Sequence, residues 1–229
     1  MTKPLALPHA EKARIVVVDD HPIVRDYLKQ LINYQPDLVV CAEAAEAGPA
    51  LQAVARFNPS VVITDLALKN GHGLELIKDL RLLHPAVRVL VLSMYHESLW
   101  AERALRAGAL GYIMKEEITS QMIVAIRRVL GGQVYLSDSM AARALSKLAG
   151  LKAPVTASPP VEAQLSDREL EVFRMLGSGH GPSEIAVQLH VNVKTVESYR
   201  ARIREKLRLR DAAELRRQAI AWVHNGGAM

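Results

Sequence analysis

Ile15-Val16-Val17-Val18-Asp19-Asp20 and Val61-Val62-Ile63-Thr64-Asp65 are two runs of β-branched residues, and each ends on acid. Such runs suit strands buried on both faces, as in a parallel sheet. The carboxyl ends of parallel strands share one edge, where α/β folds build their sites. Three carboxylates gathered there repel one another unless a hard cation joins them. An all-oxygen set suits Mg²⁺ better than zinc or copper.

Further apolar runs start near Leu38, Val87 and Leu110, so the spacing along the chain is 23 to 26 residues. Helical periods such as Leu28-Leu31-Ile32 and Leu74-Ile77-Leu80 lie between them. Strand and helix alternating in this way predict βα units around a parallel sheet. The fourth run ends at Ser93 and the fifth at Lys115, while the second ends at Cys41. Each polar residue alone has a plain reading. Asp19 and Asp20 suit the cap of a helix opening at Pro22. Ser93 suits a loop hydroxyl, Tyr112 a half-buried strand aromatic and Lys115 a surface lysine. Asp, Asp, Asp, Ser and Lys at successive strand ends are a more specific set.

From about Ala13 to Gly131 the residues resemble the receiver domain of bacterial response regulators, the run Gly111-Tyr112-Ile113-Met114-Lys115 closely so. The resemblance implies an α/β domain over residues 13–131, a flavodoxin-like, doubly wound, five-stranded parallel sheet. It implies that Asp65 accepts a phosphoryl group from a partner sensor histidine kinase. Mg²⁺ is then the cofactor, held by Asp20, Asp65 and the backbone carbonyl of Ala67, with Asp19 acting through water. Lys115 and Ser93 would bond the phosphoryl group, and Tyr112 would be the switch aromatic that turns inward. A carboxylate is independently a sound nucleophile for phosphoryl transfer, and a divalent cation offsets the incoming charge. The chain departs from the family at Lys69, where a proline is usual, although Gly73 still supplies the later turn. Ala67 and Tyr95 sit where the family varies and tunes phosphate lifetime.

Residues 132–163 read as a linker, with a helix compatible with Asp138 to Ala149 and a semi-extended stretch at Lys152–Pro160. Ser166 and Glu169 then form a capping box for a helix that stops by Gly177-Ser178-Gly179. Pro182 suits the first turn of a short helix that buries Ile185, Ala186 and Leu189. Asn192 can cap a third helix, and Asp211 with Glu214 a fourth. A small all-α, four-helix helix-turn-helix domain is expected over residues 164–225. In the third helix Val196, Tyr199, Ile203 and Leu207 should face inward, with Lys194, Ser198, Ala201 and Glu205 outward. Between Lys194 and Arg217 stand nine basic and four acidic residues, an excess that suits phosphate backbones.

Leu165-Ser166, Arg168-Glu169, Glu184-Ile185-Ala186, Lys194-Thr195-Val196 and Lys206-Leu207 resemble the LuxR-type DNA-binding domain. The whole chain is therefore similar to response regulators of the NarL/FixJ type. By that resemblance the third helix enters the major groove of double-stranded promoter DNA. Glu197, Ser198 and Ala201 would face bases, and Lys194, Thr195 and Tyr199 would touch phosphates. Arg202 and Lys206 belong to the same DNA-binding set. Glu197 equally suits an intrahelical pair with Arg200. The fourth helix would be the dimer surface in the DNA-bound state, a homodimer is expected on phosphorylation or DNA binding, and RNA polymerase is a further expected partner.

At 229 residues, two domains are expected, and 50% apolar content suffices for two cores. No stretch reads as a signal peptide or reaches transmembrane length, which points to the cytoplasm and to no membrane partner. The formal charge is +5, split as 17 basic against 15 acidic residues over 1–150 and 12 against 9 over 151–229. The basic bias is thus local to the third helix. The single Cys41 excludes a disulfide framework and reads as a buried, inert thiol. His21 is a site neighbour or merely starts a helix, and the first dozen residues read as disordered. Two other functions remain open. One is a phosphorylation-independent DNA-binding regulator with a receiver-like dimerisation or ligand domain. The other is a Mg²⁺-dependent phosphohydrolase, disfavoured because Ala67 stands where such an enzyme needs a general acid. The leading reading is a regulator, not an enzyme.

Overall fold

The protein is described here by a computed structural model covering residues 11–68, 71–95, 97–148 and 161–224. Residues 1–10, Lys69 and the Lys152–Pro160 linker lie outside the described residues. Five strands alternate with helices: β1 Ala13–Val18, α1 Pro22–Asn33, β2 Leu38–Ala44, α2 Ala47–Phe57 and β3 Val61–Thr64. A two-stranded hairpin follows, β4 Ala67–Leu68 with β5 Gly71–His72, and then α3 Gly73–Leu83, β6 Arg88–Ser93, α4 Glu97–Ala107, β7 Gly111–Met114 and α5 Ile118–Leu130. The main sheet is parallel in the order β2-β1-β3-β6-β7. This is the flavodoxin-like order, and its switch point lies between β1 and β3.

Alternation along the central strands feeds two apolar layers. Ile15, Val17, Ile63, Leu90 and Leu92 pack with Leu28, Ile32, Met122 and Ile126 of α1 and α5. Val16, Val18, Val62, Val89 and Val91 pack against Val54, Ile77, Leu80 and Trp100 of α2, α3 and α4. Both faces are covered, which is why these strands carry no polar alternation. Cys41 does not end its strand as expected. Ile15 pairs with Val40 and Val16 with Ala42, so Cys41 is the extra residue of a bulge, half-buried, and its thiol donates to the Ile15 carbonyl at 3.4 Å.

Past α5 the chain returns to the open edge of β7. The Tyr112 amide donates to the Tyr135 carbonyl at 3.0 Å, and the Tyr135 amide to the Leu110 carbonyl at 2.9 Å. Such cover removes an exposed edge. Helix α6, Asp138–Leu148, follows, with Ser137 and Ser139 both donating to the Glu97 carboxylate at the start of α4.

The C-terminal part is all helical: α7 Val161–Gln164, α8 Asp167–Gly177, α9 Pro182–Gln188, α10 Val193–Lys206 and α11 Ala212–Trp222. The short α7 falls where only linker was expected. Side-chain caps define three of the starts. Ser166 and Glu169 close a capping box on α8, Asn192 accepts from the Thr195 amide at 2.7 Å, and Asp211 from the Glu214 amide at 2.7 Å. The core of this unit is Leu170, Phe173, Ile185, Val196, Ile203, Leu215 and Ala219, continuous with the α2–α3–α4 layer.

Gly177 marks the tightest helix contact. A Cβ there would overlap the Ala219 carbonyl oxygen and the Val223 side chain, so α8 and α11 approach closely only because the position is glycine. Gly177→Ala should cost about 1–3 kcal/mol by overpacking. Thermal or urea denaturation should show that loss in the helical unit, and unchanged stability would contradict the contact.

Candidate functional site

The strand ends do converge. Lys115 Nζ lies 2.6 Å from Asp19 Oδ2 and 2.7 Å from Asp65 Oδ2, and all three side chains are almost wholly buried. Asp65 Oδ1 accepts from the Leu66 amide at 2.6 Å and the Ala67 amide at 3.3 Å. Thr64 donates its hydroxyl to the Asp65 carbonyl at 2.9 Å. Gly73 presses on that carbonyl so closely that a Cβ would overlap it, while its own amide donates to Leu66 at 2.8 Å. The hairpin between them, β4 with β5, was not legible from sequence.

Neither aspartate of the first strand caps α1. The N-cap position is His21, with no side-chain cap bond. Asp19 instead accepts from the His21 amide at 2.8 Å, and the His21 ring lies 2.7 Å from Asp20 Oδ1. Potential ligand atoms of Asp19, Asp20, His21 and Asp65 lie within 4.8 Å of one another. Asp20 Oδ1 is buried and makes no well-formed hydrogen bond among the described residues. Hard oxygen donors at this spacing can hold a divalent cation, and the carboxylates fit Mg²⁺ by donor type.

Burial pushes the Asp65 carboxyl up to about 6, and the Lys115 charge only partly offsets that. Burial opposes the charge on Lys115 too, but Asp65 and Asp19 outweigh it and hold its pKa above the ordinary lysine value. Ser93 sits at the end of β6 with its Oγ accepting from the Tyr95 amide at 3.1 Å. Tyr112 already faces inward, 1% exposed, and its hydroxyl donates to the Tyr95 carbonyl at 2.6 Å.

On α10 the apolar face holds as expected at Val196 and Ile203, while Tyr199 and Leu207 are half-buried. Lys194, Glu197, Ser198, Ala201, Arg202 and Lys206 are exposed, and Thr195 is half-buried at the helix start. Two of these are engaged within their own domain. Arg200 pairs with Glu197 at 2.5 Å, and Lys206 with Glu169 at 2.6 Å. The free basic contribution of Lys206 is therefore smaller than its charge suggests.

A third cluster, unforeseen, joins the two halves. The Tyr95 hydroxyl donates to Glu171 Oε1, and the Arg174 guanidinium lies 4.7 Å from the Tyr95 ring centroid. Asp167 meets Arg103 and, at 3.2 Å, Lys78. The His72 Nε2 stands 3.7 Å from Glu171 Oε2, and His190 Nε2 lies 3.8 Å from Asp20 Oδ2. Burial holds the His72 pKa below the ordinary histidine value and, together with Glu171, the Tyr95 pKa well above the ordinary tyrosine value.

A doubly wound sheet with a lysine-bridged acidic pocket, followed by a helix-turn-helix with an exposed basic helix, defines the two-domain response regulators of two-component signalling. The response regulator receiver domain profile matches residues 15–127, and that of the bacterial regulatory proteins of the luxR family matches residues 163–219. The chain belongs to the response regulators with a LuxR-type DNA-binding domain, a family of transcription regulators. The oxygen regulatory protein NreC of Staphylococcus haemolyticus (strain JCSC1435) is 34% identical over 210 residues, covering 90% of this chain and 96% of that one. Among solved structures, a LuxR-family two-component response regulator from Aurantimonas sp. SI85-9A1 is 35% identical, with a TM-score of 0.56 over 61% of this chain and 99% of that one. RcsB of Salmonella enterica serovar Typhimurium, bound to promoter rprA with the phosphomimetic BeF₃⁻, shares the fold at a TM-score of 0.59 and 23% identity, covering 90% of this chain and 98% of that one. Among the described residues no helix is long and apolar enough to cross a membrane.

The raised Asp65 value sets a pH dependence. Between about pH 4 and 6 the folded protein holds a proton that the unfolded chain has shed. That contribution to stability therefore grows as pH falls through the window, and it is lost as pH rises past about 6. With EDTA present, wild type should gain stability relative to Asp65→Asn on acidification from about pH 7.5 to 5. Parallel melting curves across that range would refute the assignment.

Proposed function

We propose that Asp65 is the phosphoacceptor of this regulator and that its phosphorylation controls dimerisation and promoter recognition by α10. The observation that carries this reading is the nearly buried ammonium of Lys115 bridging Asp19 and Asp65 at the strand ends. A carboxylate oxygen of Asp65 forms a bond to phosphorus as the phosphorus–nitrogen bond of the kinase's phosphohistidine breaks. The bonding pair stays on the imidazole nitrogen, and an acyl phosphate results. Asp20, Asp65 and the Ala67 carbonyl would hold Mg²⁺, with Asp19 acting through water. That ion, when bound, offsets charge on the incoming phosphoryl oxygens. Lys115 then exchanges its bond to Asp65 for one to a phosphoryl oxygen, and Ser93 donates its hydroxyl to the same group. Tyr112, linked to Tyr95 through that residue's carbonyl, follows the movement.

In this reading the chain modifies only itself and turns over no other substrate. Its partners are a sensor histidine kinase, duplex promoter DNA, a second copy of the chain and RNA polymerase, all met in the cytoplasm. Lys194, Thr195, Tyr199 and Arg202 contact phosphates, with Lys206 alongside. Glu197, Ser198 and Ala201 face base edges, and Glu197 must leave Arg200 to do so. The domains span residues 13–131 and 164–225, with 132–163 between them.

Incubation with acetyl phosphate and Mg²⁺ should add one phosphoryl group to wild type and none to Asp65→Ala. Equal mass gain in both would place the acceptor elsewhere. On DNA, Lys194→Ala should weaken binding to all sequences and lower the salt slope by about one. Ser198→Ala should change base preference and leave that slope intact. Filter binding or fluorescence anisotropy over a salt series distinguishes the two, and identical behaviour of both variants would overturn the assignment of faces.

A further inference from the structure

Two side chains of the DNA-binding half face the receiver, His190 against Asp20 of the acidic pocket and Glu171 against Tyr95 beside it. Glu171, on α8, is 0% exposed, and its partners come from both domains. Its Oε1 accepts from the Tyr95 hydroxyl, while its Oε2 lies 2.9 Å from Arg168 on its own helix and 3.7 Å from His72 across the interface. A buried carboxylate is costly unless such partners surround it, so Glu171 is satisfied in this way only while the domains are docked. His190 is the residue after the cap of α9, held at φ 51°, and it lies against Asp20.

Tyr95 is fixed at three further points. Its ring stacks on Trp100 with centroids 5.3 Å apart, its amide donates to Ser93 Oγ at 3.1 Å, and its carbonyl accepts from Tyr112 at 2.6 Å. Ser93 and Tyr112 thus share one backbone segment whose far end is anchored on the other domain. A shift of Ser93 toward a phosphoryl group on Asp65 would be passed along that segment to the bond between Tyr95 and Glu171.

We propose that Glu171 is a positioning residue of the phosphorylation site supplied by the DNA-binding domain: through Tyr95 it holds Ser93 in an arrangement that slows phosphoryl uptake at Asp65, and His190 covers Asp20 in the same docked state. The inference rests on Asp65 being the acceptor. It goes further in making a residue more than a hundred positions away part of that reaction. Coupling of this kind is reciprocal in equilibrium terms, so what separates the domains favours the phosphorylated form, and phosphorylation favours separation.

The test uses the full chain with acetyl phosphate and Mg²⁺, following acyl phosphate by intact mass against time. Glu171→Ala and Tyr95→Phe should each label about fivefold faster than wild type, the equivalent of about 1 kcal/mol, and the double variant no faster than either alone. Tyr95→Phe keeps the stacked ring and removes only the hydroxyl, so it stays folded if Glu171→Ala does not. Glu171→Gln keeps an acceptor for Tyr95 and should return most of the way to the slow rate, which a merely destabilised domain would not do. His190→Ala should also label faster. Wild-type rates in Glu171→Ala and Tyr95→Phe, or additive effects in the double variant, would overturn the inference while leaving Asp65 as acceptor. Failure of wild type itself to label would instead overturn the acceptor reading, and this inference with it.

Discussion

One ammonium group between two buried carboxylates sets the terms for the rest of the chain. Lys115 touches Asp19 and Asp65 at hydrogen-bond distance in a pocket where all three are nearly sealed from water. Removing each charge from water costs several kcal/mol, and one lysine cannot fully offset two carboxylates. The residue left under-compensated is Asp65, whose proton affinity rises accordingly. With Asp20 beside them, three carboxylates face one ammonium, and the pocket is short of positive charge. A divalent ion or a proton relieves that shortage. A phosphoryl group would instead bring more negative charge to the same place.

That imbalance persists only because the backbone around it cannot relax. β1, β3 and β7 deliver Asp19, Asp65 and Lys115 to one edge, and each strand is held by apolar layers on both faces. The turn after Asp65 is closed by the Gly73 amide on Leu66 and by a hairpin of two residues on each side. Glycine at 73 is a steric necessity, since any side chain would collide with the Asp65 carbonyl. Tyr135 completes the edge beyond β7, so the strand that carries Tyr112 and leads to Lys115 is bonded on both sides.

Much of this was legible in the sequence because it depends on local chemistry repeated at strand period. The strand runs, the caps at Ser166, Asn192 and Asp211, the inward face of α10 and the meeting of Asp19, Asp65 and Lys115 all follow from residue type and spacing. Cys41 was misread because a bulge adds one residue without leaving a mark in the apolar pattern. The capping alternative for Asp19 and Asp20 was attractive because carboxylates do favour helix starts, yet here Lys115, fifty positions beyond Asp65, outcompetes the helix for Asp19. Glu171, His72 and His190 could not be found at all. Each is an ordinary helix, hairpin or turn residue until two separately folded units are set against each other. One faint signal existed: Glu171 stands directly between Leu170 and Val172-Phe173.

The contact between the halves is built from unlike parts, and that governs how it opens. Lys78 with Asp167 is an exposed pair of the kind worth little on its own. Arg103 binds both the Asp167 carboxylate and the Leu165 carbonyl, so it grips the cap region of α8 as well as a charge. Glu171 is different in kind: Arg168 stays with it on α8, but losing Tyr95 while it remains buried takes the hydrogen-bond donor from its Oε1. Partial opening is then the worst state available: the exposed pairs are already lost and Glu171 is not yet hydrated. An interface with that profile separates as a unit, and a small displacement near Ser93 can be converted into a discrete change of domain arrangement. The buried carboxylate thus adds little to the strength of docking and a good deal to its sharpness.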